Sequence, residues 1–319
     1  MNNLRKIGLS ALAGSLATFS VNAADFSVSG GASITFDDPN RGFSDRGNGF
    51  YMGDSLTFSA SGETDNGVGV AVSYELDGTA AIDDMKITLS GDWGSMVFDG
   101  HGGSSAMGAV DDKTPNAYEE AWDVIDTNGS TTGGTPSVIG GGGSDGMWIY
   151  TTPSMGGATA TVAYHNSGGS AAAESYMDFA VALSPEAVEG LTLGFAAADN
   201  AVGNSIDHDK NTMYATYAMG AFTVGAQVSD LDDTRANSDA ESVAYGVTYA
   251  VNDDFSIGYS YHEYETEVTS DEDQESTGIS FSYTSGGMTL GGAMNEVENM
   301  GGTAATDREG YEFTLSFAF

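Results

Sequence analysis

Apolar and polar side chains trade places every second residue through most of this chain, the period that sends successive side chains to opposite faces of a β-strand. The last segment shows it cleanly. Tyr311, Phe313, Leu315, Phe317 and Phe319 share one face, and Glu312, Thr314, Ser316 and Ala318 share the other. Ile257, Tyr259 and Tyr261 stand against Ser256, Gly258, Ser260 and His262 in the same way. Phe26, Val28, Ile34 and Phe36 do so against Ser27, Ser29, Ser33 and Thr35. Such runs predict about sixteen strands, at 25–36, 54–63, 67–78, 82–91, 95–100, 146–152, 157–166, 175–184, 190–199, 210–219, 220–230, 240–250, 253–265, 274–285, 287–298 and 307–319.

The connections alternate in length. Short turns fall at 64–67, 91–94, 153–156, 219–220, 252–253 and 285–286, with a medium one at 185–190. Longer, mostly acidic connections fall at 37–53, 101–145, 167–174, 200–209, 231–239, 266–273 and 299–306, and the link near 78–81 is a short exception. An even strand count with short turns at one end and long loops at the other predicts an all-β, antiparallel transmembrane barrel. The physical reason is that hydrocarbon leaves no water to satisfy an unpaired backbone group, so spanning strands must close on themselves. The apolar face then meets lipid and the polar face meets water, in a lumen wide enough at about sixteen strands to stay open. A soluble β-sandwich would alternate too, but nothing in its packing keeps one set of turns short throughout.

The first residues are of another kind. Arg5 and Lys6 precede an apolar stretch from Ile7 to Val21, and Val21-Asn22-Ala23 supplies the small residues of a cleavage site. Residues 1–23 therefore read as an export signal, leaving residues 24–319 as a single barrel domain of 319 − 23 = 296 residues. The full chain carries 9 basic and 46 acidic residues; without Arg5 and Lys6 that becomes 7 against 46, or −39. Such a charge repels phosphate backbones and argues against a nucleic-acid partner. The chain has no cysteine, so neither a disulfide nor a thiolate metal site is available. The 15 Phe and 15 Tyr, with frequent Val and Ile, argue against charge-driven disorder.

Four features together resemble the Gram-negative general diffusion porins, in particular the alphaproteobacterial type known from Rhodobacter. The export signal runs into a first strand, Ala24-Asp25-Phe26-Ser27-Val28, and the chain ends on an alternating strand with a terminal Phe319. A strand ending near Phe98-Asp99-Gly100 leads into the longest loop. Met147-Trp148-Ile149-Tyr150-Thr151-Thr152-Pro153-Ser154 is similar to the family's tyrosine and Ser-Pro-Ser strand end, with Thr152 in place of the first Ser. The resemblance implies sixteen strands, a homotrimer in outer-membrane lipid, passive diffusion of small hydrophilic solutes, and a role for Phe319 as the barrel-assembly signal. It also implies that the long loop folds into the lumen. One departure is plain. Members of this type set an arginine cluster on the wall opposite an acidic loop, whereas this chain offers only Arg41, Arg46, Lys86, Lys113, Lys210, Arg235 and Arg308. Lys86 is the best wall candidate, because Met85, Ile87 and Leu89 take the lipid face and leave it inward beside Asp84.

The expected pore constriction is the loop 101–145, with Asp111, Asp112, Glu119, Glu120, Asp123 and Asp126 facing Lys86 and Asp84. Connections of this length usually have a role of their own, and lumenal carboxylates would favour cations. The alternative is a solvated loop outside the barrel. Residues 118–126 read as a short helix with Glu119 and Asp123 on one face. Asp111 and Asp112 are candidate ligands for calcium, a hard cation that takes oxygen donors, although no cofactor is required. Gly140–Met147 matches a calcium-binding repeat but occurs once, which favours a flexible hinge. His101, His165, His208 and His262 are scattered, and His262-Glu263-Tyr264 lacks the second histidine of a zinc motif. An enzyme is therefore not expected. Tyr259, Tyr261, Phe313 and Phe319 read as interfacial girdle residues, and Ala196, Ala197 and Ala198 as a small lipid-facing patch for packing between subunits. Two other classes remain open: a non-conducting structural barrel or adhesin, and an exported soluble β-protein that binds calcium.

Overall fold

The computed structural model describes residues 25–37, 49–78, 81–125, 139, 145–166, 175–201, 207–234, 238–268 and 271–319. Residues 1–23, expected to be an export signal, and Asp126, residues 140–144, Arg41, Arg46 and Arg235 lie outside them. Sixteen strands close into one antiparallel barrel in which each strand pairs with its chain neighbours and the first pairs with the last. They are β1 (Asp25–Asp37), β2 (Phe50–Glu63), β3 (Gly69–Asp77), β4 (Ala81–Gly91), β5 (Gly94–His101), β6 (Met147–Thr151), β7 (Ala158–His165) and β8 (Tyr176–Leu183). The second half comprises β9 (Leu191–Ala201), β10 (Asp207–Met219), β11 (Phe222–Asp233), β12 (Ala240–Ala250), β13 (Phe255–Thr266), β14 (Gln274–Ser285), β15 (Met288–Glu298) and β16 (Arg308–Ala318). Among the described residues the helical content is two single 3₁₀ turns, Gly108–Val110 and Met300–Gly302.

The alternation sorts the side chains as expected. One face carries Ile279, Met213 and Tyr245 at 64%, 54% and 44% exposure, large apolar groups that only lipid would cover. The opposite face carries Thr212, Ser229, Ser242, His262 and Ser276, all buried. The expected girdle residues stand on the apolar face, with Tyr259 and Phe313 exposed and Tyr261 stacked on Tyr245 at 4.7 Å between ring centroids.

The seam between β1 and β16 is closed by seven registered pairs from Gly31↔Ala318 to Asp37↔Glu312. Phe319 extends it. Its N–H donates to the Gly30 carbonyl at 3.0 Å, and its carbonyl accepts the Gly30 N–H at 2.8 Å. The terminal residue therefore completes a ladder that membrane insertion requires to be complete.

The wall is uneven in height. β5, β6, β7 and β8 have 8, 5, 8 and 8 residues, whereas β9 to β16 have 11 to 13. The longest loop starts at the low side, after β5.

The alanine patch is a correction. Ala196 and Ala198 point to the polar side, 0% and 4% exposed, and only Ala197 of the three faces outward. Three successive alanines carry no alternation, so the strand's phase has to come from its neighbours. Phe195 on β9 and Met177 and Phe179 on β8 set that phase.

Candidate functional site

The long loop lies against the polar face of the wall, and the sequence explains how backbone can rest on backbone there. Gly225, Gly246, Ser260, Gly278 and Asn295 are cross-strand partners in one row across β11 to β15. A Cβ on Gly246 would stand 2.2 Å from the Pro115 carbonyl oxygen, and one on Gly278 would stand 2.9 Å from the Ala121 Cα. Both are closer than any side chain could tolerate. Glycine inside a strand often marks such an approach; the individual glycines are visible in the sequence, and the register of the fold brings them into one row.

Four sets of partners fix the loop. At its start, the Asp178 carboxylate on β8 accepts the N–H groups of Ala106 (3.1 Å) and Met107 (2.9 Å) and the Tyr176 hydroxyl (2.7 Å). Met107 is fully buried there with Met147, Ala163, Ala196 and Ala198. Further on, Gln227 on β11 brackets Asp111 and Asp112: its amide donates to the Val110 carbonyl and accepts the Lys113 N–H, both at 2.8 Å. Ser280 on β14 accepts the Ala117 N–H at 3.1 Å, and Tyr118 donates to Glu312 on β16 at 2.6 Å. Finally Asn295 on β15 donates to the Glu120 carbonyl at 2.6 Å, and Trp122 rests on Ala244 and on the His262 ring, 4.6 Å between centroids.

These partners also overturn the short helix expected over 118–126. Residues 118–125 form irregular turns. The Glu120 N–H goes to the Asp123 carboxylate at 3.1 Å, and the Glu120 carbonyl accepts Asn295 at 2.6 Å as well as the Asp123 N–H at 3.4 Å, which closes a single turn rather than a helix.

The expected carboxylates separate into two sets. Glu119, Glu120 and Asp123 bring oxygens within 4.8 Å of one another, with Asn116 donating to Glu120 and the Asp112 carboxyl hydrogen-bonded to it. Asp111 stands apart, at the end of the 3₁₀ turn. Burial, then mutual repulsion and carboxyl–carboxyl hydrogen bonds, push Glu119 up to about 8 and Glu120 still higher. Burial likewise raises Asp111 and Asp112, and it raises the Tyr118 hydroxyl with help from Glu312. Glu119, Glu120 and Asp123 thus form a further carboxylate cluster close enough to share a cation, besides the Asp111 and Asp112 pair that the sequence suggested.

Lys86 faces the polar side beside Asp84, with Nζ 3.1 Å from Oδ2. Two further acids share its surroundings. Glu75 on β3 pairs directly with Asp84, and Asp99 on β5 pairs with Lys86. Their inward phase was readable, but their convergence on Lys86 depends on register shifts at Glu75/Leu76 and Met85/Lys86 that no local pattern announces.

The comparisons with known proteins agree with this architecture. The profile of the Gram-negative porin family matches residues 8–301. No curated protein matches the sequence. Among solved structures, the anion-selective porin from Comamonas acidovorans is similar at a TM-score of 0.69 and 14% identity, over 93% of this chain and 100% of that one. OmpT of Vibrio cholerae in its trimer form gives 0.69 at 11% identity, over 93% and 100%. A mutant of the Rh. blastica porin gives 0.60 at 14%, again over 93% and 100%. Similarity at that identity speaks for the fold, and the profile match over most of the chain speaks for descent. The chain belongs to the family of Gram-negative porins, the non-enzymatic β-barrel channels of the outer membrane.

Proposed function

We propose that this porin prefers cations, and that the loop 101–145, with Asp111, Asp112, Glu119, Glu120, Asp123 and Asp126, narrows its lumen opposite Asp84 and Lys86. One observation carries the reading: acids line both sides of the water-facing surface. The loop contributes Asp112, Glu119, Glu120 and Asp123, and the wall answers with Glu75, Asp84 and Asp99 around Lys86 rather than with a cluster of arginines. Rings of fixed negative charge lower the energy of a cation and raise that of an anion in a confined aqueous path. The fold does not decide the matter, since an anion-selective porin shares it. The acidic lining is what supports cation preference in this chain.

Three further parts belong to the same reading. The functional unit is a homotrimer in outer-membrane lipid. Strands of 5 to 8 residues at β5–β8 fall short of the roughly 9–11 needed to cross hydrocarbon, which supports a neighbouring subunit in place of lipid there. Residues 1–23 are removed on export. Asp111 and Asp112 stay the calcium ligands of this reading, with Glu119, Glu120 and Asp123 as a second oxygen cluster that takes a hard cation once its protons are lost.

Flux through reconstituted liposomes tests the preference with three solutes of equal size, one cationic, one neutral and one anionic. Entry in the order cationic, neutral, anionic is expected. Equal entry of all three, or faster anion entry, would refute it.

A further inference from the structure

The wall that faces the far end of the loop holds a cluster whose chemistry goes beyond lining. β4 and β12 are eight positions apart in a ring of sixteen strands. Trp122 rests on Ala244 of β12 and His262 of β13, so the loop's far end lies half a circumference from β4. On the β4 side, Asp84 holds the Lys86 ammonium, Asp99 is the cross-strand partner of Lys86 and Glu75 that of Asp84, three acids against one base for a formal −2. Asp99 is only 6% exposed, and its Oδ1 has no hydrogen-bond partner; the buried Oδ1 of Asp84 has none either. A buried carboxylate oxygen without a donor is costly, and a cation is the species that would relieve it. The Lys86 side chain is 42% exposed, so its ammonium can turn to water at little cost.

We propose that Glu75, Asp84 and Asp99 form a binding station for small cations, alkali or alkylammonium ions, on the pore wall, with Lys86 as a tethered counter-ion that yields to a permeating cation. The station rests on the cation-preferring reading and deepens it. It also assigns the larger share of selectivity to the wall, because Asp84 and Asp99 each keep a buried oxygen without a donor, whereas the Glu120 and Asp123 carboxylates already accept N–H groups of the protein.

Reversal potentials in a KCl gradient test the station on the full-length protein in planar bilayers at neutral pH. A unit charge about 6 Å away is worth about threefold in ion occupancy even at the dielectric constant of water. Asp99→Asn should therefore lower the cation-to-anion permeability ratio about threefold, and Lys86→Met should raise it by a similar factor. The double variant Glu119→Gln/Glu120→Gln should shift the ratio less than Asp99→Asn does. A wild-type channel that prefers anions would overturn the cation preference, while opposite shifts in Asp99→Asn and Lys86→Met would still uphold the station. A cation-preferring wild type whose ratio moves in neither variant overturns the station alone, as does a larger effect from the loop pair. Heat-dependent gel mobility verifies that each variant folds, and Asp84→Asn makes the same charge change if Asp99→Asn does not.

Discussion

Asp178→Ala should free the start of the loop while leaving the barrel closed. The wild-type carboxylate is 2% exposed and gathers two backbone N–H groups and one hydroxyl, at 3.1, 2.9 and 2.7 Å. Hydrogen bonds to a buried charged group contribute about 1.5–3 kcal/mol each, and donors left without an acceptor cost about 1–3 kcal/mol each. The Tyr176 hydroxyl keeps a second partner in Ser105 at 3.2 Å, so the loss falls mainly on the two amides. At about 1.5 kcal/mol apiece the loop loses about 3 kcal/mol of seating, or roughly a hundredfold in the seated-to-free ratio. Burial of Met107, worth about 2 kcal/mol, remains. The pairing of β8 with β7 and β9 is backbone to backbone and untouched. Trypsin reads the outcome directly, because Lys113 is the one Lys or Arg between residues 101 and 145. Folded Asp178→Ala should be clipped at Lys113 roughly a hundred times faster than wild type where opening is fast relative to cleavage. Asp178→Asn, which keeps one acceptor oxygen, should fall between them. Cleavage of Asp178→Ala at the wild-type rate would refute the anchoring argument.

Three other perturbations probe the same arrangement. Gly246→Ala places a methyl 2.2 Å from the Pro115 carbonyl, so the loop must lift from β12; single-channel conductance should change while heat-dependent gel mobility does not. Removing Phe319 deletes both backbone bonds to Gly30 at the β1–β16 seam and should lower the yield of folded barrel in a refolding assay. Glu119 carries the pH dependence. Its carboxyl is raised from 4.5 to about 8, first by burial and then by the charges of Asp123 and Glu312. A carboxyl raised on folding binds protons more tightly in the seated loop than in the free one. Protons therefore stabilise seating below about 8, and that support is lost as pH rises through the same range. Cation preference measured as a reversal potential should climb from about pH 5 to about pH 9 as the loop ionises, and the climb should flatten in Glu119→Gln/Glu120→Gln.

The sequence carried the barrel and only part of the lumen. Strand phase depends on local alternation, so Tyr311 to Phe319 or Phe255 to His262 could be assigned to faces without a structure. Ala196 to Ala198 defeated the same reading because alanine suits either face. The loop's seating is non-local. Tyr118 meets Glu312 at a separation of 194 residues and Lys113 meets Gln227 at 114, and no periodicity encodes such pairs. Glu119 and Asp123 do come together, but by a turn rather than by helical spacing, because Asn295 and the Asp123 side chain capture the Glu120 backbone. Glycines at 225, 246 and 278 interrupted the strand pattern in view, yet only the fold shows that they lie in one row.

The central claim is an open, water-filled, negatively charged path, and one recording tests it most directly. Purified, folded protein inserted into a planar bilayer under a KCl gradient should give discrete conductance steps, with a reversal potential of the sign set by cations. An absence of steps, or a reversal potential of the opposite sign, would contradict it.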